Sequence, residues 1–145
     1  MTLLQIVDNL ERIALTQPNI RSVGEGDIYG FMNNNPSVKY GVFFILQNNH
    51  TEYQEYTNYN FTLFFIDRLE DDLESNRIRI QSNGMQVISN IVSMLCERFD
   101  LDFPNMQYTS FTQKFLDMCA GVYVTISFNM YKNSICADED WLSKN

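Results

Sequence analysis

Apolar positions change their period along this chain, from helical spacing to strand spacing and back again. Over Thr2–Thr16, Leu3, Ile6, Val7, Leu10, Ile13 and Ala14 recur every three or four residues. That spacing predicts a short amphipathic helix with one buried face, Thr2 as its N-cap and Pro18 just beyond its end. Asn19–Asn35 is rich in Gly, Asn and Asp and predicts an irregular connection, with a short strand at Asp27–Phe31 between Gly26 and the Asn33-Asn34-Asn35-Pro36 breaker. Val38–Gln47 is a continuous run of apolar and aromatic strand formers, which predicts a strand buried on both faces and central in a sheet.

After a polar loop at Asn48–Glu52, Tyr53–Asp67 alternates as a strand does, with Tyr59, Phe61, Leu63 and Phe65 on one face and Phe64 and Ile66 on the other. An acidic turn follows, Arg68-Leu69-Glu70-Asp71-Asp72-Leu73-Glu74-Ser75-Asn76. With Asp67 it carries five carboxylates within eight positions, predicted to lie on the surface. Ile78, Ile80, Met85, Val87, Ile88, Ile91, Val92, Leu95 and Phe99 then form a broad stripe that predicts a long helix packed on the sheet. Its N-terminal end is where the helix dipole favours the acidic run. Asp100–Asn105, containing Pro104, stops that helix. Met106–Phe115 and Cys119–Tyr131 read as two further strands joined by a short turn, the second alternating Val122, Val124, Ile126 and Phe128 against Tyr123, Thr125 and Ser127. The fold class expected is therefore α+β, in the order α-β-β-α-β-β, with a mixed, mainly antiparallel sheet and two helices packed on one face. Residues 1–136 are expected to form a single domain and 137–145 an acidic C-terminal tail.

A chain of 145 residues, 45% hydrophobic and 14% aromatic, suffices for one core rich in Phe and Tyr. Its 10 basic against 18 acidic residues, net −8, disfavour wrapping a phosphate backbone, which needs clustered Lys and Arg. An acidic surface would repel DNA, which suits a conduit through which a duplex slides without sticking. Cys96, Cys119 and Cys136 are widely spaced and odd in number, and Cys96 falls on an apolar stripe, so reduced thiols are expected. Neither a signal-peptide pattern nor a run of 18 apolar residues occurs, which predicts cytoplasmic synthesis and no membrane span.

Candidate chemistry is sparse. The only histidine, His50, sits in a polar loop, and a surface loop residue is a simpler reading than a member of a triad. The cysteines and His50 lack the short spacing of a structural zinc site. Asp67, Glu70, Asp71, Asp72 and Glu74 could hold a divalent cation or pair as acid and base, yet they lack the alternating ligands and Gly of a calcium loop. A solvated turn capping a helix is the blander alternative. Gly24-Glu25-Gly26 is a fragment of a phosphate loop whose following Asp27 opposes phosphate. Asn49 and Asn60 begin glycosylation-like triplets, Asn60 inside an expected strand. Tyr53, Tyr56, Tyr59, Phe61 and Phe65 could stack bases, but the basic residues of such platforms are missing, and core packing or subunit contact is simpler.

The order of elements, with Val23-Gly24-Glu25-Gly26-Asp27-Ile28-Tyr29, Phe65-Ile66-Asp67-Arg68-Leu69 and Cys119-Ala120-Gly121-Val122-Tyr123-Val124-Thr125, resembles small virion proteins of tailed phages and prophages of gut Bacteroidales, including crAss-like phages. The element order is also similar to that of phage tail terminator, or tail-completion, proteins. The resemblance implies a structural virion protein, a head-to-tail connector or tail terminator subunit forming a homo-oligomeric ring through which DNA passes without sequence-specific binding. It implies no enzyme activity and no cofactor, neighbours among other neck, tail or portal-associated proteins, and a place in the virion neck or tail after synthesis in the host cytoplasm.

The residues expected to contact partners are Asp67, Arg68, Glu70, Asp71, Asp72, Glu74 and, on the tail as a docking arm, Trp141. Two rivals stand beside this reading: a small phage-encoded binding module or adaptor acting on a host protein, and a metal-dependent enzyme built on the Asp67–Glu74 carboxylates.

Overall fold

The computed structural model describes residues 2–34, 38–70 and 74–132. Within them the protein is α+β, with a mixed sheet of six strands and three helices. Helix α1 (Leu3–Leu15) begins at the expected cap: the Gln5 amide donates to Thr2 Oγ1 at 3.2 Å and the Thr2 amide to Gln5 Oε1 at 2.9 Å, a reciprocal capping box. Its buried face is Ile6, Leu10, Ile13 and Ala14, as the spacing requires.

Strand β1 (Ser22–Glu25) and helix α2 (Ile28–Asn33) replace the irregular connection and the short strand expected at Asp27–Phe31. Gly26, at φ 105°, turns the chain in the left-handed region, and the Asp27 carboxylate accepts from the Tyr29 amide at 3.1 Å as an N-cap. Ile28, Phe31 and Met32 are spaced for one helical face, which outweighs the strand propensity of a segment this short. The pairing β1 gains is parallel to β2 (Val42–Gln47), a non-local bond to a strand well downstream in sequence that local pattern does not report.

Strand β3 (Thr51–Glu52) forms a hairpin with β4 (Tyr56–Arg68), and the sheet is completed by β5 (Thr109–Lys114) and β6 (Met118–Tyr131), in the order β1-β2-β4-β6-β5. All pairings except β1 with β2 are antiparallel. Strand β2 lies between β1 and β4 with Val42, Phe43, Phe44 and Ile45 buried on both faces, as the unbroken apolar run anticipates.

The alternation of β4 sorts as expected. Phe61, Leu63 and Phe65 enter the larger core beneath α1 and α3 (Glu74–Phe99), and Ile66 and Phe64 enter the opposite one. Fully burying Phe43, Phe61 and Phe65 is worth about 1.5–3 kcal/mol each. The second core, Val42, Phe44, Ile66 and Cys119, is covered by Met32 of α2 and by Phe115. So α1 and α3 share one face as predicted, and α2 packs on the other.

Within α3, Ile80, Val87, Ile88, Ile91, Val92 and Leu95 are buried, whereas Ile78 and Met85, assigned to the stripe from sequence, are 56% and 44% exposed. At 100° per residue both point away from the line through Ile80, Val87 and Ile91. The place on that line is taken by Gly84, which lets the helix approach Phe65 and Val122 closely. The helix ends in a left-handed residue, Asp100 at φ 53°, with the Leu101 amide donating to Cys96 O at 2.9 Å.

Beyond the second core, the same sheet face is polar. Asn58 Nδ2 donates to Ser127 Oγ and to Asn129 Oδ1 at 2.7 Å each, and Thr62 and Thr125 bond at 3.1 Å. Tyr53 and Tyr56 stack with centroids 4.8 Å apart at the end of this ladder, whereas Tyr59, Phe61 and Phe65 serve the core.

Candidate functional site

Sheet register places charged residues together at one end of the molecule. The pairs Ser22↔Val42 and Val42↔Ile66 put Arg21, which precedes β1, and Asp67, next to last in β4, on the same rim row. The Arg21 and Ser22 amides both donate to Gly41 O, at 2.9 and 3.2 Å, fixing this row. Ser22 Oγ donates to Lys39 O at 2.6 Å and lies 3.1 Å from the Lys39 amide, so one hydroxyl pins the segment that carries Lys39.

Helix α3 closes the other side with Asn76, Arg79, Ile80 and Asn83, residues three and four apart on one face. Asn76 is buried and its Oδ1 accepts from the Glu70 amide at 3.0 Å, joining the turn to the helix. The result is an open cleft of about 660 Å³. Among the described residues, four of the chain's 10 basic residues line it, Arg21, Lys39, Arg68 and Arg79, against two carboxylates, Asp67 and Glu70. All four basic side chains are exposed, and among the described residues none of them joins an ion pair.

Burial pushes the Asp67 carboxyl up from its ordinary value, and Glu70 adds to this. The Arg68 amide, donating to Asp67 Oδ1 at 2.8 Å, and the charges of Arg21 and Arg79 pull the other way. Next to this wall, Tyr40 Oη donates to Asp117 Oδ2 at 2.9 Å, and Tyr40 is held well above the usual phenol range by burial and by that bond. Cys119, buried behind it, is pushed up to about 11, chiefly by burial. A thiol so placed is a poor nucleophile.

Of the residues expected at a partner contact, Asp67, Arg68 and Glu70 line the cleft. Asp67 lies in β4, as the expected strand Tyr53–Asp67 has it, and Arg68, expected in the turn, belongs to β4 too; Asp67 is half-buried where a surface position was expected. Asp71, Asp72, the Glu74 side chain, Trp141, Cys136 and the tail 137–145 lie outside the described residues.

Arg21, Lys39, Arg79, Asn76 and Asn83 were not legible as site residues, because they come from separated stretches that only the parallel β1–β2 pairing and the α3 crossover bring together. The available signal was their charge, in a chain with only 10 basic residues.

His50 sits away from the cleft. Its Nδ1 accepts from the Asn60 amide at 3.2 Å, its Nε2 lies 3.4 Å from Gln47 Oε1, and its ring packs on Tyr59 and Phe61, so it braces the β2–β4 end of the sheet. Asn60 lies inside β4 with its side-chain amide donating to Asn49 O and Asn58 Oδ1. Cys96 and Cys119 are free thiols. Among the described residues no group of His, Cys, Asp and Glu is arranged to hold a metal ion, and no helix is long and apolar enough to cross a membrane.

Comparison with protein-family models and with curated proteins finds no match.

Proposed function

We propose that this chain is a structural, ring-forming subunit of a tailed-phage neck or tail, a head-to-tail connector or tail terminator, whose copies repeat side by side around a passage for DNA. The observation that carries the self-assembly is the edge of the sheet at β5. This strand ends the strand order, and among the described residues no strand pairs with its outer side. Thr109, Ser110 and Thr112 are exposed, the strand holds no proline, and its one charge, Lys114, stands at its last position, while Gln81 Nε2 donates to the Phe111 carbonyl at 3.2 Å. Soluble proteins blunt such edges with charge, proline or a bulge, because the open amides and carbonyls template another chain.

Large apolar side chains collect beside this edge: Tyr29, Leu116 and Met118 are 55%, 48% and 40% exposed around the turn that joins β5 to β6. A ring hides both features by seating each copy on a different surface of the next, a heterologous contact that closes on itself. The net charge of −8 suits a passage that a duplex crosses without adhering.

The test is mass spectrometry of purified particles from a producing host together with the native mass of the isolated chain. Presence in the particle and a multimeric mass are expected. Absence from particles overturns the reading in favour of a small phage-encoded adaptor that acts on a host protein, a use for which the charged cleft at the β4–α3 end would serve.

A further inference from the structure

We infer that the basic cleft at the β4–α3 end is the socket for the acidic C-terminal segment of a neighbouring copy, Asp138-Glu139-Asp140-Trp141-Leu142. This rests on the ring reading and names the contact that would join its subunits. In a chain of net charge −8, the described wall of the cleft carries Arg21, Lys39, Arg68 and Arg79 against Asp67 and Glu70. The side chains of Asp71, Asp72 and Glu74, next along the chain, lie outside the described residues. The four cations are exposed and take part in no ion pair among the described residues, so their charge is open to an acidic peptide. Asn76 and Asn83 add amides, and Val38 and Ile80 add apolar wall. Three consecutive carboxylates followed by Trp and Leu match that mixture of charge and apolar surface.

Geometry requires the segment to come from another copy. Strand β6 starts beside the cleft, where Cys119 pairs with Arg68, and ends at Tyr131 opposite Tyr56. Its 14 residues carry the chain roughly 40 Å from the cleft at about 3.3 Å per residue. Asp138–Asp140 follow Lys132 by only six to eight residues, an extended reach of about 20–30 Å. A segment that leaves one end of the subunit and fits a cleft at the other makes a head-to-tail contact, the kind that builds rings.

The experiment titrates a labelled synthetic peptide of residues 133–145 against the full chain at low concentration, followed by fluorescence anisotropy, with the native mass recorded in parallel. Binding is expected. It should weaken at least tenfold in Arg21→Glu/Arg79→Glu, whose two sites are exposed and tolerate reversal, and should fall steeply between about 50 and 500 mM salt. A peptide carrying lysine at positions 138, 139 and 140 should recover binding on that reversed variant. No binding, equal binding to the reversed variant, or binding of inorganic phosphate alone overturns the inference; the last makes the cleft a small-anion site. A multimeric mass with no peptide binding leaves the ring reading standing and removes this contact. Peptide binding by a chain that stays monomeric at high concentration as well leaves the cleft an acidic-peptide site but overturns the neighbouring copy as its occupant, together with the ring.

Discussion

Replacing Gly84 with alanine sets two known effects against each other. In the interior of a helix, Gly→Ala gains about 1 kcal/mol by restricting the unfolded chain and favouring helical backbone. At Gly84, however, the added Cβ would lie 2.8 Å from Val122 Cγ2 and 2.9 Å from Phe65 Cδ2, tighter than carbon atoms tolerate. Both neighbours are fully buried, so neither can swing into solvent. Overpacking of this kind costs about 1–3 kcal/mol.

The net expectation is a loss of about 1 kcal/mol and a melting temperature lower by roughly 4 °C. A double-mutant cycle isolates the cause. Val122→Ala alone should cost about 2 kcal/mol from lost burial and cavity, but it removes the atom that the new Cβ strikes. In the Gly84→Ala background its cost should fall by at least ~0.5 kcal/mol, beyond the error of additivity. Denaturant melts of the four proteins read this directly. Strict additivity, or a gain of about 1 kcal/mol from Gly84→Ala, would refute the claim that α3 is seated against Phe65 through this glycine.

Other substitutions test the site and the ends of elements. The Asp67 carboxyl is raised by burial, so the folded state holds its proton more tightly than the unfolded chain. That stabilisation is full below the ordinary carboxylate value and is lost as pH rises through the raised one. Asp67→Asn should therefore stabilise the fold near neutral pH by under about 1 kcal/mol at this half-buried position, read as a higher melting temperature, and change nothing below about pH 3.5; a loss at neutral pH contradicts it. Asp100→Gly relieves a left-handed residue at the end of α3 and should stabilise by about 0.5–1 kcal/mol in thermal melts, since only the unfolded entropy of glycine opposes it. Burial pushes the Cys119 thiol up to about 11 and also raises Cys96, so iodoacetamide at mildly alkaline pH should leave both unmodified in the folded protein and label both in guanidinium. Rapid native labelling at Cys119, read by peptide mass mapping, would show that its pocket opens.

Period and capping carried most of the fold. Thr2 and Gln5 mark the start of α1, the alternation of Phe61, Leu63 and Phe65 against Phe64 and Ile66 assigns the two faces of β4, and Val122, Val124, Ile126 and Phe128 do the same for β6. Sequence reading failed where a feature depends on partners far along the chain. Strand β1 exists because its backbone pairs with β2, and four residues carry too little periodicity to announce that. Helix α2 depends on the turn at Gly26 and the cap at Asp27, local signals outweighed in sequence by the strand formers Ile28, Tyr29 and Phe31. Ile78 and Met85 join the expected stripe because an apolar residue near the right spacing counts as a match, although the angle excludes them.

The site was half legible. The density of charge at Asp67–Glu74 drew attention to the end of the molecule that holds the cleft, but its acidity masked the cations that Arg21, Lys39 and Arg79 bring there.

Whether copies of this chain assemble with one another is decided by the mass of the purified full-length protein in solution at high concentration, read by light scattering or native mass spectrometry. A closed multiple of 17.0 kDa is expected, dissociating when lysines replace Ser110 and Thr112 on the β5 edge. A single 17.0 kDa species at every concentration would contradict self-assembly.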